Sequence, residues 1–502
     1  MSTCSVKATE RRPHSLDPEN ASDTLLSHST LTIDSVSSSI GKTRRERLLR
    51  WLTCYLIAIL LIGGFVVGMG FYACTASDWV RACNSPPPSQ STTSTTIRAP
   101  IHVFTSTSEL RAAVGLYLQG DELPLFGPSI EYWNVSAITD FSHLFDAHED
   151  HVPVYDWDAN LSRWDVSQAV TMEAMFRGQR LFRGNGLERW DVSRVTTLRS
   201  FAQDATAFAA DLSTWNVQRV SDLAYVVAGT AFRGNVSAWN VGRVTDMSHA
   251  FYGATFFSSD LRSWEVGNVQ NFSYMFNECQ LFRDQDLSLW DTRQATDMTE
   301  MFEQSGFSGR IGNWNVLRVE SMRGMFDRSS FNGDIGRWNT ASCTDMSFMF
   351  RSTPFNNDIG HWNVERVTTF ESMFQDTPFD QDLSLWKMNR AESLKSMFQE
   401  ASNFTGRGLG SWDTSRVKTM RSVFDLSSFA GDISRWNTGR VTDFSFAFYG
   451  TPFAGDLAAW NTTSVQTFKS MVSEQMLLTF AFLGTRILTA SLCLLVQRGS
   501  QI

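Results

Sequence analysis

Tryptophan recurs along this chain on a single register, and a chain that repeats so large an apolar side chain at one interval must bury its copies against one another. Trp133, Trp164, Trp190, Trp215, Trp239, Trp264, Trp290, Trp314, Trp338, Trp362, Trp386, Trp412, Trp436 and Trp460 are fourteen of its seventeen tryptophans, spaced 24 to 26 residues apart after a first interval of 31. Other residue types keep step. Counting from each Trp, Asn or Asp follows at +1 (Asn216, Asn240, Asp413) and a small apolar residue at +5 (Val195, Val244, Val319, Val367, Val441). Met, Phe or Leu stands at +8, and a Met-Phe pair at +11 and +12 in the clearest copies, such as Met325-Phe326 and Met349-Phe350. A further Phe comes at +17 or +18 (Phe307, Phe331, Phe355), and three residues on comes Asp followed by Ile or Leu, as in Asp334-Ile335 and Asp382-Leu383.

Apolar residues at +5, +8, +11 and +12 have helical spacing, and Thr-Asp pairs such as Thr245-Asp246 and Thr442-Asp443 offer side chains that cap a helix start. The pattern therefore predicts a two-turn helix in each repeat. The short, Gly-flanked segment from Asp-Ile/Leu to the Trp reads as a strand pairing with its equivalents in a parallel ladder. The fold class expected is an α/β solenoid, a leucine-rich-repeat-like right-handed coil of about 14 repeats, preceded by one transmembrane helix. Met, Phe and Trp then form the core, and the Asn/Asp at +1 a buried hydrogen-bonded ladder.

The unit F-x-x-D-[IL]-x-x-W-[ND]-[VT]-x-x-V-T-x-M-x-x-M-F, nearly complete from Phe331 to Phe350 and from Phe355 to Phe374, resembles that of the BspA-like leucine-rich-repeat surface proteins. Related repeats occur in surface lipoproteins of wall-less bacteria and in protists and algae. The resemblance covers about residues 125–472 and implies an extracellular, non-catalytic solenoid active in adhesion or recognition, with no invariant binding residues to carry over. Three departures stand out. The first interval holds an Asp- and His-rich insert, Val226-Val227 replaces the Met-Phe pair, and the register stops after Met471.

Outside the repeats the composition changes. Residues 1–50 are Ser/Thr-rich with few aromatics and read as a disordered cytosolic tail. Residues 51–74 run without a charge, long enough at about 1.5 Å per residue to cross a hydrocarbon layer of about 30 Å. Lys42, Arg44, Arg45, Arg47 and Arg50 precede this span, which keeps the N-terminus cytosolic and exports the repeats across the plasma membrane or an endomembrane. Residues 75–100 form a Pro/Ser/Thr stalk, residues 101–472 the repeat solenoid, and residues 473–502 an apolar segment interrupted by Arg486. That last segment is a cap, a second membrane helix or the product of a gene-model error. The formal net charge is −9, and residues 1–50 carry eight Lys/Arg against six Asp/Glu, so the rest carries −11. Such a balance argues against nucleic acid or anionic lipid as partner.

Catalytic and phosphate-binding motifs are missing, no cofactor is implied, and an enzyme is the remote alternative. The nearest approach to a metal site is His148-Glu149-Asp150-His151 beside Asp146 and Asp156, read as a solvated loop. The Asp column four residues before the Trp (Asp211, Asp260, Asp286, Asp334, Asp358, Asp382, Asp432, Asp456) is a stack that could recruit calcium or, more simply, cap its own turns. Cys279 and Cys343 fall at core registers, and Cys74 and Cys83 lie close enough in sequence to bridge the stalk. Sequons occur at Asn134, Asn160, Asn235, Asn271, Asn403 and Asn461, with Asn271, at an expected helix start, foremost among them.

The function expected is a binding or adhesion surface for an extracellular protein or polysaccharide. Arg163, Arg189, Arg337, His361 and Arg435, each just before a Trp, are the candidate ligand contacts. The alternative is a structural spacer of the wall or matrix. Protease shaving of intact cells is expected to remove the repeats and leave the N-terminal tail detectable; repeats that survive shaving while the tail is cut would reverse the topology.

Overall fold

A computed structural model describes residues 102–473, apart from Glu122, Pro124, Gly127, Pro128 and 149–156. The predicted tail, membrane segment and stalk, and the apolar segment after Ser473, lie outside the described residues. Among the described residues no helix is long and apolar enough to cross a membrane.

Successive repeats lie side by side, joined by parallel single-residue bridges at position +7 that run unbroken from Asp140 through Thr171, Asp246, Ser321 and Thr419 to Thr467. The predicted repeat helix and strand are both corrected here. The only α-helix described is α1, Thr107–Leu118, which precedes the repeats. The stretch from +8 to +15, with its helical spacing, is instead the ladder that joins one repeat to the next. Around the Asp-Ile/Leu segment, where the strand was expected, a single bridge forms, between Asp286 and Arg310.

The backbone accounting explains why. In the repeat of Trp239, the N–H groups of Met247, His249, Phe251 and Gly253 donate to the carbonyls of Asn271, Ser273, Met275 and Asn277 in the next repeat. The intervening N–H groups of Ala250, Tyr252 and Ala254 close tight turns onto Met247, His249 and Phe251, and that of Ser248 donates to the Asp246 side chain. Every donor in the stretch is used, as a buried backbone requires. A helix is prevented because +10 and +14 are left-handed in repeat after repeat, as at His249 (φ 56), Tyr274 (φ 58), Glu278 (φ 61) and Arg328 (φ 54). Turns of this kind return side chains inward every third or fourth residue, so their apolar spacing imitates an α-helix.

Inside, the core is one continuous apolar cluster from Phe104 to Met471. Where neighbouring indoles stack, their centroids lie 5.9–6.5 Å apart and their planes within 9° of parallel. Beside them runs a phenylalanine column through Phe302, Phe326, Phe350 and Phe374 at 5.8 Å steps, each ring also stacked on the next Phe of its own repeat at 3.9–4.0 Å. Offset stacking of this kind adds roughly 0.5–1.5 kcal/mol per pair to the burial itself. Val226 and Val227 fill the places of their Met-Phe pair and remain buried.

Each indole also makes a bond across the repeats. From Trp164 to Trp460, Nε1 donates to the carbonyl of the Ile, Leu or Val three residues before the previous Trp, at 2.8–3.3 Å. That carbonyl already accepts its own repeat's Trp backbone N–H, so both lone pairs are filled. Short side chains hold the corners. The Asp column at −4 caps the N–H two residues on, as Asp334 does for Gly336 and Asp382 for Ser384, so each carboxylate caps its own turn. The +1 column does the same, Asn240 for Gly242 and Asn437 for Gly439, but it is largely exposed, and the expected buried Asn/Asp ladder is not formed. An Asx turn needs only local backbone, so nothing requires this column to be interior.

The first repeat has no predecessor, and α1 takes its place. Ser106 caps α1 by accepting from the Glu109 N–H, and Leu110, Ala113, Val114 and Leu118 face the core. Thr107 Oγ1 and the Arg111 guanidinium donate to the carbonyls of Asp140 and Ser142, which in every later repeat are served by the repeat before. Trp133, first on the register, makes no indole bond to an earlier carbonyl.

Trp338→Phe keeps most of the apolar area but leaves the buried Ile311 carbonyl short of a donor, whereas Trp133→Phe strands nothing. Denaturant titration should show the first variant losing about 1–3 kcal/mol more than the second. Equal losses would mean that ring volume, and not the indole bond, sets the cost.

Candidate functional site

Because the ladder fixes register, equivalent residues of successive repeats form outward columns, and the candidate site is built from these. The predicted contacts Arg163, Arg189, Arg337, His361 and Arg435 are all exposed in the column before the Trp. Arg163 lies over the ring of Tyr132, its neighbour in that column, at 4.5 Å. The structure brings Arg163 beside Arg189 and Arg337 beside His361, while Arg435 stands three repeats further on. The column also carries Leu289 and Leu385, 78% and 59% exposed, so the five do not form one patch.

A second column was not foreseen. At +4 stand Arg194, Arg219, Arg243, Arg318, Arg366, Arg390, Arg416 and Arg440, all exposed. Arg194 donates to Gln168 at 3.0 Å and Arg318 to Gln294 at 2.7 Å, each the residue of the same column one repeat earlier. The signal was present in the sequence as the residue before Val at +5. It went unread because the period was traced through apolar positions.

A third column lies on the ladder itself at +10. His249 is stacked between Tyr225 and Tyr274, with ring centroids 4.2 and 4.4 Å away, and its Nδ1 is buried without a hydrogen-bond partner. Burial holds its imidazole down to about 4, with Arg199 adding to the effect and Asp246 opposing it. One repeat beyond Tyr274, burial and the neighbouring Glu303 push the Glu300 carboxyl up to about 7. Arg323 and Arg351 both pack on Phe348, each 4.6 Å from the ring centre, and Arg351 pairs with the buried Asp327. The ladder face thus combines aromatic edges and charges on a fixed backbone, an arrangement suited to binding.

Among the sequons, Asn160, Asn235, Asn403 and Asn461 are exposed, whereas Asn134 and Asn271 are half-buried. Asn271 is a ladder residue between Asp246 and Asp297 whose Oδ1 accepts from Ser273, not a helix start. In the insert, the buried Asp146 is taken up by Arg177 of the next repeat and by His143. Burial pushes its carboxyl up, but the bonds from Arg177 and His143 outweigh that and hold it below the ordinary carboxylate range. His148 bonds to Asp146 through its N–H, and Glu149, Asp150, His151 and Asp156 lie outside the described residues. Among the described residues no group of three or more His, Cys, Asp or Glu could hold a metal ion. Cys279 and Cys343 are free and buried, and burial pushes the Cys343 thiol up to about 12.

One family model matches this register four times in tandem, at residues 152–231, 215–308, 303–408 and 392–480, and is described as Mycoplasma protein of unknown function, DUF285. The chain belongs to that family. The matched stretches span the repeats from Trp164 to the last Trp of the register, Trp460. No curated protein matches the chain.

The His249 geometry gives a direct test. Its folded value lies below the ordinary 6.5, so the folded state resists the proton. Its contribution to stability is complete above about pH 6.5 and is lost as pH falls toward 4, where the folded imidazole protonates too. An NMR titration of the ring should find a midpoint near 4; a midpoint near 6.5 would show the Tyr225–His249–Tyr274 sandwich to be open in solution.

Proposed function

We propose that this DUF285 chain is a membrane-anchored, exported solenoid acting as a binding or adhesion surface for an extracellular protein or polysaccharide, in the manner of BspA-like surface proteins. The charge-free run at 51–74 with its basic N-terminal flank supports the anchor and the orientation. One observation carries the reading. A backbone that fixes every repeat in register presents a long column of exposed arginines, most of which the fold itself does not use, beside an interior that scarcely varies. Repeat proteins present extended ligands with surfaces of this kind. A spacer would need the interior alone.

The full-length protein should be retained on an array of wall polysaccharides and matrix proteins. Replacing Arg163, Arg189, Arg337, His361 and Arg435 together by Gln tests the column before the Trp. Equal retention of parent and variant would remove that column from the binding surface, and retention of neither on any array member would sink the binding reading.

A further inference from the structure

Resting on that reading, we propose that the +4 arginine column is a track for a linear anionic polysaccharide. Eight of fourteen repeats place Arg there, and apart from the bonds of Arg194 and Arg318 to Gln168 and Gln294 these side chains take no hydrogen-bonded or ion-paired part in the fold among the described residues. None of the eight forms an ion pair among the described residues, and Arg219, Arg243, Arg366, Arg390, Arg416 and Arg440 donate no hydrogen bond. Repeats joined by a ladder advance about 4.8 Å each, so Arg194 to Arg243 and Arg366 to Arg440 set like charges in close file. Such a file repels itself unless an anion lies along it.

The neighbouring column supports the assignment. The cap at +1 needs only a side-chain oxygen, so Asp and Asn serve the turn alike. Next to Arg219, Arg243, Arg318, Arg366 and Arg440 the cap is the neutral Asn216, Asn240, Asn315, Asn363 and Asn437. Next to Arg390 the +1 residue is Lys387. Where +4 is neutral, an acid stands at +1 in three repeats of six, Asp165 with Gln168, Glu265 with Asn268 and Asp291 with Gln294, and Asn in the other three, Asn134, Asn339 and Asn461. Among the eight arginine repeats only two carry an acid there, Asp191 beside Arg194 and Asp413 beside Arg416. An arginine meant for a local ion pair would call for Asp at the cap. This pattern keeps the file positive, and it does so in a chain whose net charge is −9.

The groove beside the column has the right donors. Between the +4 and +6 columns Arg219, Arg243, Ser221, Thr245, Asn268 and Gln270 line an open groove of about 650 Å³. Its hydroxyls are spent, Ser221 on the Thr196 carbonyl and Thr245 on that of Ser221, which leaves guanidinium and amide groups to meet a ligand. Further along, Lys418 and Lys387 pair with Glu392 and Glu365, while Arg416 and Arg440 reach Glu392, and Arg416 Asp413, only through space, and no direct ion pair forms with Arg366, Arg390, Arg416 or Arg440 among the described residues. An extended glycan repeats its charge over a length close to one step of the ladder. A folded acidic protein does not keep such a spacing over many repeats, so a linear glycan fits better.

The test compares full-length protein on immobilised dextran sulfate and on neutral dextran. One variant carries Arg366→Gln, Arg390→Gln, Arg416→Gln and Arg440→Gln; a second carries Arg180→Gln, Arg233→Gln, Arg310→Gln and Arg407→Gln, exposed arginines that lie in neither column, and loses the same charge. The parent should bind dextran sulfate alone, and the first variant should bind it at least about tenfold more weakly, with the salt slope reduced by about four. The second variant should bind like the parent. Equal losses in both variants, equal retention of the parent on the two dextrans, or stronger competition by duplex DNA than by soluble dextran sulfate at equal charge would overturn the track and leave a binding surface standing. Failure to bind either dextran, together with failure on the wider array, would overturn both readings.

Discussion

The hydrogen bond from each indole Nε1 to a carbonyl of the preceding repeat is the interaction on which the structure depends. It fixes three things at once. The distance sets how closely two repeats approach, the donor's place on a rigid ring sets their rotation, and the carbonyl's place three residues before a Trp sets their register. Apolar burial alone would tolerate a slip, because Met, Phe and Trp pack against many partners. A buried indole N–H does not, since leaving it unpaired, with the carbonyl short of its second donor, costs more than a slip would gain in packing. The tryptophan supplies a large apolar area and a donor fixed on a rigid ring together, and this accounts for its constancy where +8 varies freely among Met, Phe and Leu.

Much of this was legible in the chain, and the misreadings have a common physical origin. The period, the inward positions and the capping role of the Asp column were all given by residue type and spacing, because burial selects large apolar side chains and tight turns select short polar ones. Secondary structure was not. Spacings of three and four belong to overlapping turns as well as to helices, and the left-handed residues that separate the two are here His249, Tyr274, Glu278 and Arg328 rather than glycine. A sequence in which the strained positions carry ordinary side chains gives no warning of them. Each such residue costs on the order of 1 kcal/mol, and the bond that its own N–H makes to the next repeat, as from His249 to Ser273, holds it in place.

The candidate surfaces were partly legible for a similar reason. Residues just before the Trp attract notice because they adjoin the register mark, yet the arginines at +4 recur more often and lie on the same face of successive repeats. They were hidden by being polar in a search for apolar periods. The insert reads from its sequence as a solvated loop, yet Asp146 within it is buried beneath Arg177, so its charge serves the joint between two repeats.

Length variation shows how the two requirements are kept apart. Repeats of 26 residues must place their Trp on the same indole bond as repeats of 24, and the chain does this away from the ladder. Before Trp190 and Trp412 the extra residues are taken up by short 3-10 turns entered through Gly186 and Gly408, at φ 91 and φ 81. A Cβ there would stand 2.4 and 2.3 Å from the backbone nitrogens of Ser162 and Ser384, so only glycine lets the detour press against the previous repeat. The ladder from +7 to +14 has no such detours, and every column that reaches solvent from it, or from the corner just before it, stays in step. Changes of length are thereby confined to one edge of the repeat, and the arginine file, five residues or fewer from its tryptophan in every copy, is shielded from them.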